Sequence, residues 1–338
     1  MMNTKQEILD SLDGCLDGSP PPAIFTQTGT VGQMKACGRY WPEANFEIDA
    51  LMELALQPSR MFGFATARIP YDITAEAERL GADIFPGDDG RQPMVRGSPY
   101  LTGEVLDPPD MMPVDEFLKE GRCAMYVEAA ERMTSEHPDL FVTANMIGPM
   151  GVASHLVGME NMIMASFMAP DAVVKWTELM TGYQCEYAKA LSEAADNVMM
   201  ITGGAEDIMP AESFDDFVQP FEPRVFASMK ESYSLAHCCG HTARVLEKLS
   251  GLGETMLSVE TDGDSRRVVE LVGDRVKVVG GINPIRTLLM GSPSDIRAAA
   301  ISASDTGLAA ITPECGVPPM TPDENLMALA TYRWRTGF

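Results

Sequence analysis

Basic residues are scarce in this chain of 338: 25 Lys and Arg stand against 49 Asp and Glu, a formal net charge of −24. Nucleic acid bound through its phosphates calls for a basic surface, so the balance argues against that class of partner. Also missing is any apolar run approaching a membrane span, and the N-terminus has no secretory hydrophobic region. A cytoplasmic protein with no membrane partner is expected. Neither a Gly-x-Gly-x-x-Gly turn after a strand nor a Walker A loop occurs, which weakens nucleotide-binding readings. No repeat, low-complexity tract or linker interrupts the chain. What is present is an ordinary hydrophobic fraction of 45% and enough length to bury a large core, so a single domain over residues 1–338 is expected.

Short apolar, β-leaning runs alternate with longer helical patterns. Candidate strands are Ala23–Thr28, Met61–Ala67, Leu140–Met146, Val198–Thr202, Ser232–His237, Thr255–Glu260, Val276–Gly281 and Leu308–Thr312. Helical stretches are expected at Ile48–Leu56, Ala75–Leu80, Val114–Glu131, Ala172–Asp196, Phe214–Ser232, Ala243–Leu249, Ser265–Leu271 and Ser294–Ser302. Asp264 and the run Ser292-Pro293-Ser294-Asp295 look like helix starts. About eight βα units fit an α/β fold of the (β/α)8, or TIM, barrel type better than a doubly wound sheet. An N-terminal helical extension and an insertion after the second strand complete the expected layout. The insertion, from Asp83 to Pro113, is rich in Pro, Gly and Asp and is expected to form an excursion or hairpin over the barrel mouth.

The seven cysteines are an odd number in a cytosolic-looking chain, so reduced thiols are expected. Cys15, Cys37, Cys123 and Cys185 stand alone and read as small hydrophobes. The rest are different. His237 and Cys239 form a His-x-Cys step at the end of one strand candidate, and Cys315 follows another. In an extended segment His237 and Cys239 share a side, leaving Cys238 to pack into the wall. Imidazole with two thiolates is a soft ligand set suited to Zn²⁺, and three protein ligands leave one position open. The plainer alternative is a pair of buried thiols beside a core histidine. His241 is a rival ligand, and Glu260 is either a displaceable fourth ligand or a solvated strand-end carboxylate. Barrel chemistry sits where strands end, and Asp72, Asn145, Glu260 and Asn283 fall at such positions.

At these residues the chain resembles the uroporphyrinogen decarboxylase superfamily and, within it, the methylcobamide:coenzyme M methyltransferases. The resemblance runs through Gly38-Arg39-Tyr40-Trp41-Pro42-Glu43, Pro70-Tyr71-Asp72, Gly148-Pro149, His155 to Gly158, Gly280-Gly281-Ile282-Asn283-Pro284 and Pro322-Asp323-Glu324-Asn325, nearly the whole chain. It implies a (β/α)8 barrel. Decarboxylases of the superfamily carry paired arginines near the first strand and a late Gly-His-Gly. Here Lys35 takes the first arginine position, Arg39 the second, and Cys315 the late histidine. Asp72 matches an acid shared by both branches. His237, Cys239 and Cys315 match the zinc ligands of the methyltransferase branch, and Glu260 falls where that branch offers a carboxylate to the resting metal. The loop Thr202-Gly203-Gly204-Ala205-Glu206-Asp207 departs from the superfamily's usual pattern after the fourth strand.

The resemblance implies a zinc-dependent transfer of a methyl group from a methylcorrinoid to a small thiol, most naturally coenzyme M. Since no Asp-x-His-x-x-Gly cobalamin signature occurs, a methylated corrinoid protein is the expected partner. Asp72 and Glu260 are the expected catalytic residues, with Asp72 orienting the thiol, relaying its proton or bonding the lid. Arg39, Arg68 and Asn145 are the candidates for the substrate's charged end. Homocysteine or tetrahydrofolate as acceptor, and uroporphyrinogen decarboxylation, are the alternatives.

Overall fold

A computed structural model describes residues 3–102 and 107–334; residues 103–106 of the expected excursion lie outside the described residues. The strands are β1 (Thr66–Ile69), β2 (Asp83–Phe85), β3 (Met94–Gly97), β4 (Phe141–Ile147), β5 (Asn197–Ile201), β6 (Tyr233–Cys238), β7 (Met256–Val259), β8 (Lys277–Ile282) and β9 (Ala310–Pro313). Seven of them form one parallel sheet in the order β1, β4, β5, β6, β7, β8, β9. Helices separate these strands, giving the curled βα arrangement of a (β/α)8 barrel. The insertion is an antiparallel hairpin of β2 and β3. Tyr100 beyond it stacks edge-on against Trp176, with ring centroids 5.5 Å apart.

The eighth stave corrects one expectation. Ala23–Thr28 is not a regular strand: its region joins the sheet through a parallel bridge between Pro22 and Ile311 and through the Ile24 N–H, which donates to Thr66 Oγ1 at 3.2 Å. Pro20, Pro21 and Pro22 have no N–H to give, so a continuous ladder cannot start there. The segment nonetheless lies between β9 and β1. The second strand also begins later than expected, at Thr66, because Pro58–Phe62 forms a wide helical turn closed by Gly63 at φ 81°. The helix expected over Phe214–Ser232 splits into Phe214–Phe217 and Glu222–Phe226, with Pro220 in the break and Pro223 in the first turn of the second helix. The one expected at Val114 starts instead at Arg122 and runs to Glu136.

The period of two along each strand decides what the barrel interior holds. Near the N-terminal ends of the strands the inward residues are apolar: Phe141, Met199, Leu235, Met256 and Val279 pack together with Phe25. The N-terminal helix Lys5–Leu12, started by a Thr4–Glu7 capping box, adds Ile8 and Leu12 to the same cluster and plugs that end. Farther along the same faces the sequence turns polar, with Asn145 after Phe141, His237 and Cys239 after Leu235, and Ser258 and Glu260 after Met256. Arg68 lies in register with Thr143, and so on the inward face with Asn145. One end is dry and sealed, the other chemical.

Three acids are buried outside this polar end. Burial pushes Glu222 up to about 8, with the neighbouring Glu254 adding to the shift, and pushes Glu76 and Glu254 up to about 7. A carboxyl whose folded pKa is raised binds more protons in the folded state, so its contribution is full below its unfolded pKa and is lost as pH climbs through the folded value. Tm is therefore expected to fall between about pH 5 and pH 8. Glu222→Gln, which keeps an acceptor for the Gly203 N–H, should flatten part of that slope. Calorimetry of the two proteins across the range checks this, and an undiminished slope in the variant counts against it.

Candidate metal centre

His237 is the fifth residue of β6 and stands level with Ser258 of β7. Its Nδ1 lies 3.1 Å from Ser258 Oγ, which leaves Nε2 to face Cys239 Sγ at 3.1 Å. A ligand histidine is held this way, with one ring nitrogen tied to a second group and the other turned to the metal. Ser258 is a residue that the sequence alone did not single out; its place opposite His237 on the next strand was the available signal.

Cys239 follows the last residue of β6, and Cys315 sits in the loop after β9, two strands beyond the neighbouring β7. The loop nevertheless turns inward. Thr26 Oγ1 donates to the Cys315 carbonyl at 2.9 Å, the Val317 N–H donates to Gln27 O at 2.7 Å, and the two sulfurs come to 3.4 Å. The ligand atoms of His237, Cys239 and Cys315 all lie within 4.8 Å of one another. An ion about 2.3 Å from each thiolate requires sulfurs no more than roughly 4.6 Å apart, a condition this pair meets. Two thiols in contact share their protons unequally: the hydrogen bond from Cys239, aided by His237, holds the Cys315 thiol well below the usual range, while Cys239 is pushed up. The donor set fits a soft divalent metal such as zinc.

The neighbours divide clearly. Cys238 is buried with its thiol toward Gly203 O at 3.6 Å, in the wall as expected. His241 is turned away on Asp207, with Nδ1 2.8 Å from Oδ1 and its N–H donating to Oδ2 at 2.7 Å. That pair ties the unusual loop after β5 to the loop that follows Cys239. Glu260 is anchored beside the cluster, its Oε1 accepting the Gly240 N–H at 3.0 Å.

The remaining expected site residues lie in different settings. Asp72 is buried and both its oxygens are engaged: Oδ1 accepts from the Thr74 N–H and hydroxyl at 2.8 Å each, and Oδ2 from Arg122 and from the Tyr126 hydroxyl at 3.1 Å. Arg39 forms an i,i+4 ion pair with Glu43 at 2.6 Å, its side chain 44% exposed. Arg68 and Asn145 are both 2% exposed. Arg68 Nε and Nη1 and both side-chain polar atoms of Asn145 have no hydrogen-bond partner among the described residues. Burial lowers the Arg68 pKa to about 10, which leaves the guanidinium charged at neutral pH.

The profile of the family described as uroporphyrinogen decarboxylase (URO-D) matches residues 4–334. The chain belongs to the uroporphyrinogen decarboxylase family. It is 32% identical over 336 residues to the methylcobamide:CoM methyltransferase MtaA of Methanosarcina barkeri, covering 97% of each. To MtbA of Methanosarcina acetivorans, also a methylcobamide:CoM methyltransferase, it is 30% identical over 315 residues, 91% of each. A solved methyltransferase from Methanosarcina mazei superposes with a TM-score of 0.89 at 31% identity, covering 98% of both chains. Within the family the chain falls in the methyltransferase branch and is an enzyme of that kind. Among the described residues no helix of this family member is long and apolar enough to cross a membrane.

Proposed function

We propose that the protein transfers a methyl group from a methylated corrinoid, carried by a separate corrinoid protein, to the sulfur of coenzyme M (2-mercaptoethanesulfonate), using zinc held by His237, Cys239 and Cys315. The single observation that carries this reading is the His/Cys/Cys cluster, formed in a chain 30% and 32% identical to two named methylcobamide:CoM methyltransferases over 91% and 97% of its length. Zinc bound there supplies Lewis acidity that favours the deprotonated form of a sulfur brought to its open position.

The residues of the chain do the rest. Cys239 and Cys315 as thiolates balance the charge of the dication and, being soft donors, leave electron density on an incoming sulfur. Ser258 fixes the His237 ring. Glu260, tethered to the backbone one residue past Cys239, would hold the resting site and yield to substrate. Asp72, with all four of its hydrogen bonds made locally, acts as a positioning residue that steadies the turn after β1. Of the three candidates for the substrate's charged end, Arg68 and Asn145 have free hydrogen-bonding capacity inside the barrel, whereas Arg39 is already paired. In the reaction the substrate sulfur attacks the methyl carbon, the carbon–cobalt bond breaks with its electron pair left on cobalt, and the thiol proton passes to solvent. Co(III) becomes Co(I), and a thioether is formed.

The test mixes the zinc-loaded enzyme, methylcobalamin and 2-mercaptoethanesulfonate and follows the corrinoid spectrum. Cob(I)alamin should appear with one methyl thioether for each corrinoid consumed. Absence of demethylation with this thiol, with homocysteine and with tetrahydrofolate would refute the transferase assignment.

A further inference from the structure

Cys315 stands past the end of its strand, since β9 stops at Pro313. The Glu314 N–H still donates to Ile282 O of β8 at 2.9 Å, so the ladder ends one residue before the sulfur. There the chain is caught a second time, by a side chain. Glu314 is 2% exposed, and its carboxyl accepts a hydrogen bond from Thr261 Oγ1. The peptide N–H groups of Thr261 and Gly281 face the same carboxyl. Thr261 is buried and itself fixed to the start of the helix Ser265–Val272. Its carbonyl accepts the Asp264 N–H at 2.9 Å, and its hydroxyl lies 3.4 Å from Ser265 Oγ.

Both partners in that bond are covalent neighbours of groups at the metal centre. Glu314 precedes Cys315, and Thr261 follows Glu260. Glu260 Oε1 in turn accepts the N–H of Gly240, the residue after Cys239, and the Cys239 and Cys315 sulfurs are 3.4 Å apart. The contacts therefore close a ring: Cys239–Gly240, Glu260–Thr261, Glu314–Cys315, and back across the two sulfurs. In this ring the Thr261–Glu314 bond joins the loop after β7 to the loop after β9, which β8 separates in the sheet. A carboxyl buried this deeply is costly unless its oxygens are met, and here they are met by that link. Metal–ligand distances hold to within about 0.2 Å, so a thiolate on a loop needs such a fixed point.

We propose that Glu314 is a positioning residue of the metal centre. Through Thr261 it fixes the Cys315 loop against the Glu260 loop, and so sets the spacing between a thiolate that stays on the metal and a carboxylate that leaves it. This rests on the metal reading of the cluster and deepens it.

Zinc affinity of the full chain, measured by competition with a chromophoric chelator, tests the proposal. Thr261→Val and Glu314→Ala should each weaken it about 10- to 100-fold, the usual loss when a group that orients a ligand is removed. Glu314→Gln keeps an acceptor for the Thr261 hydroxyl while losing the charge, and should restore most of the affinity. The double variant, Thr261→Val with Glu314→Ala, should bind no more weakly than the weaker single one, because both changes remove the same bond. Unchanged affinity in the single variants, whatever their Tm, overturns the proposal, since the bond then serves the fold alone. Losses that multiply in the double variant overturn it too, each residue then acting by its own route. So does a Glu314→Gln variant as weak as Glu314→Ala, because charge rather than placement would then be the cause. If the parent protein takes up no zinc, the metal reading falls, and hydrogen exchange on the metal-free protein decides the anchoring. Residues 314–317 should then exchange about tenfold faster in Thr261→Val than in the parent, the expected loss for one hydrogen bond to a charged group, and equal rates overturn it.

Discussion

Cys239→Ala and Cys315→Ala are each expected to purify with little zinc, where the parent protein carries about one equivalent. Each substitution removes a thiolate from a three-residue set whose sulfurs are 3.4 Å apart, leaving only two of the protein ligands. It also removes one of the two negative charges that balance the dication. Activity should fall with the metal. A free thiol near the cysteine reference pKa of about 8.5 is only about 3% ionised at pH 7, so losing activation of the sulfur costs at least roughly 30-fold on that ground alone. The fold should survive, because seven strands are laddered together, the Pro22–Ile24 segment bridges β9 and β1, and a dry apolar cluster seals the opposite end. Metal analysis, methylcobalamin turnover and circular dichroism on each variant check the three parts. Retention of a full zinc equivalent in either variant would exclude its cysteine from the ligand set. Unfolding on metal loss would mean that the ion staples the barrel rather than serving catalysis.

A large effect of another kind is expected at Arg122. Its guanidinium, with a side chain 6% exposed, bonds Asp72, whose own side chain is fully buried. The same guanidinium also bonds Thr74 Oγ1 at 3.0 Å and lies over the Phe46 ring at 4.5 Å. Arg122→Met leaves the Asp72 charge buried without its cation, which costs about 3–5 kcal/mol. A fall in Tm on the order of 10 °C follows for a protein of this size. Replacing both partners, Arg122→Met with Asp72→Asn, should recover most of the loss, because the uncompensated charge goes as well. Thermal unfolding of the single and double variants measures this directly. Equal stability of the two would mean that the ion pair does not anchor the turn after β1.

Much of the barrel was legible from local sequence. Short apolar, β-leaning runs marked the regular strands to within a few residues, since parallel strands covered on both faces are apolar nearly throughout. Asp264 and Ser292 were readable as helix starts, and both cap their helices through the side chain. The misplaced elements have a common cause. Ala23–Thr28 follows directly on three prolines that cannot donate to a ladder, and Met61–Ala67 runs through the left-handed Gly63, where the backbone could not follow the apolar pattern. At Phe214–Ser232 the helical period ran on past Pro220, where the helix breaks.

The site divides along the same line. By itself, the sequence determined which atoms were available: a His-x-Cys step fixes two ligands on one side of one strand, because extended backbone repeats every second residue. It also determined that Cys238 would face the wall. The tertiary structure alone decided that Cys315 joins them, because its loop turns inward on a hydrogen bond from Thr26, nearly the whole chain length away. It likewise decided that Asp72 is held by Arg122 and that Ser258 fixes His237. Such pairings depend on which residues barrel closure brings together, and no local period in a chain encodes that.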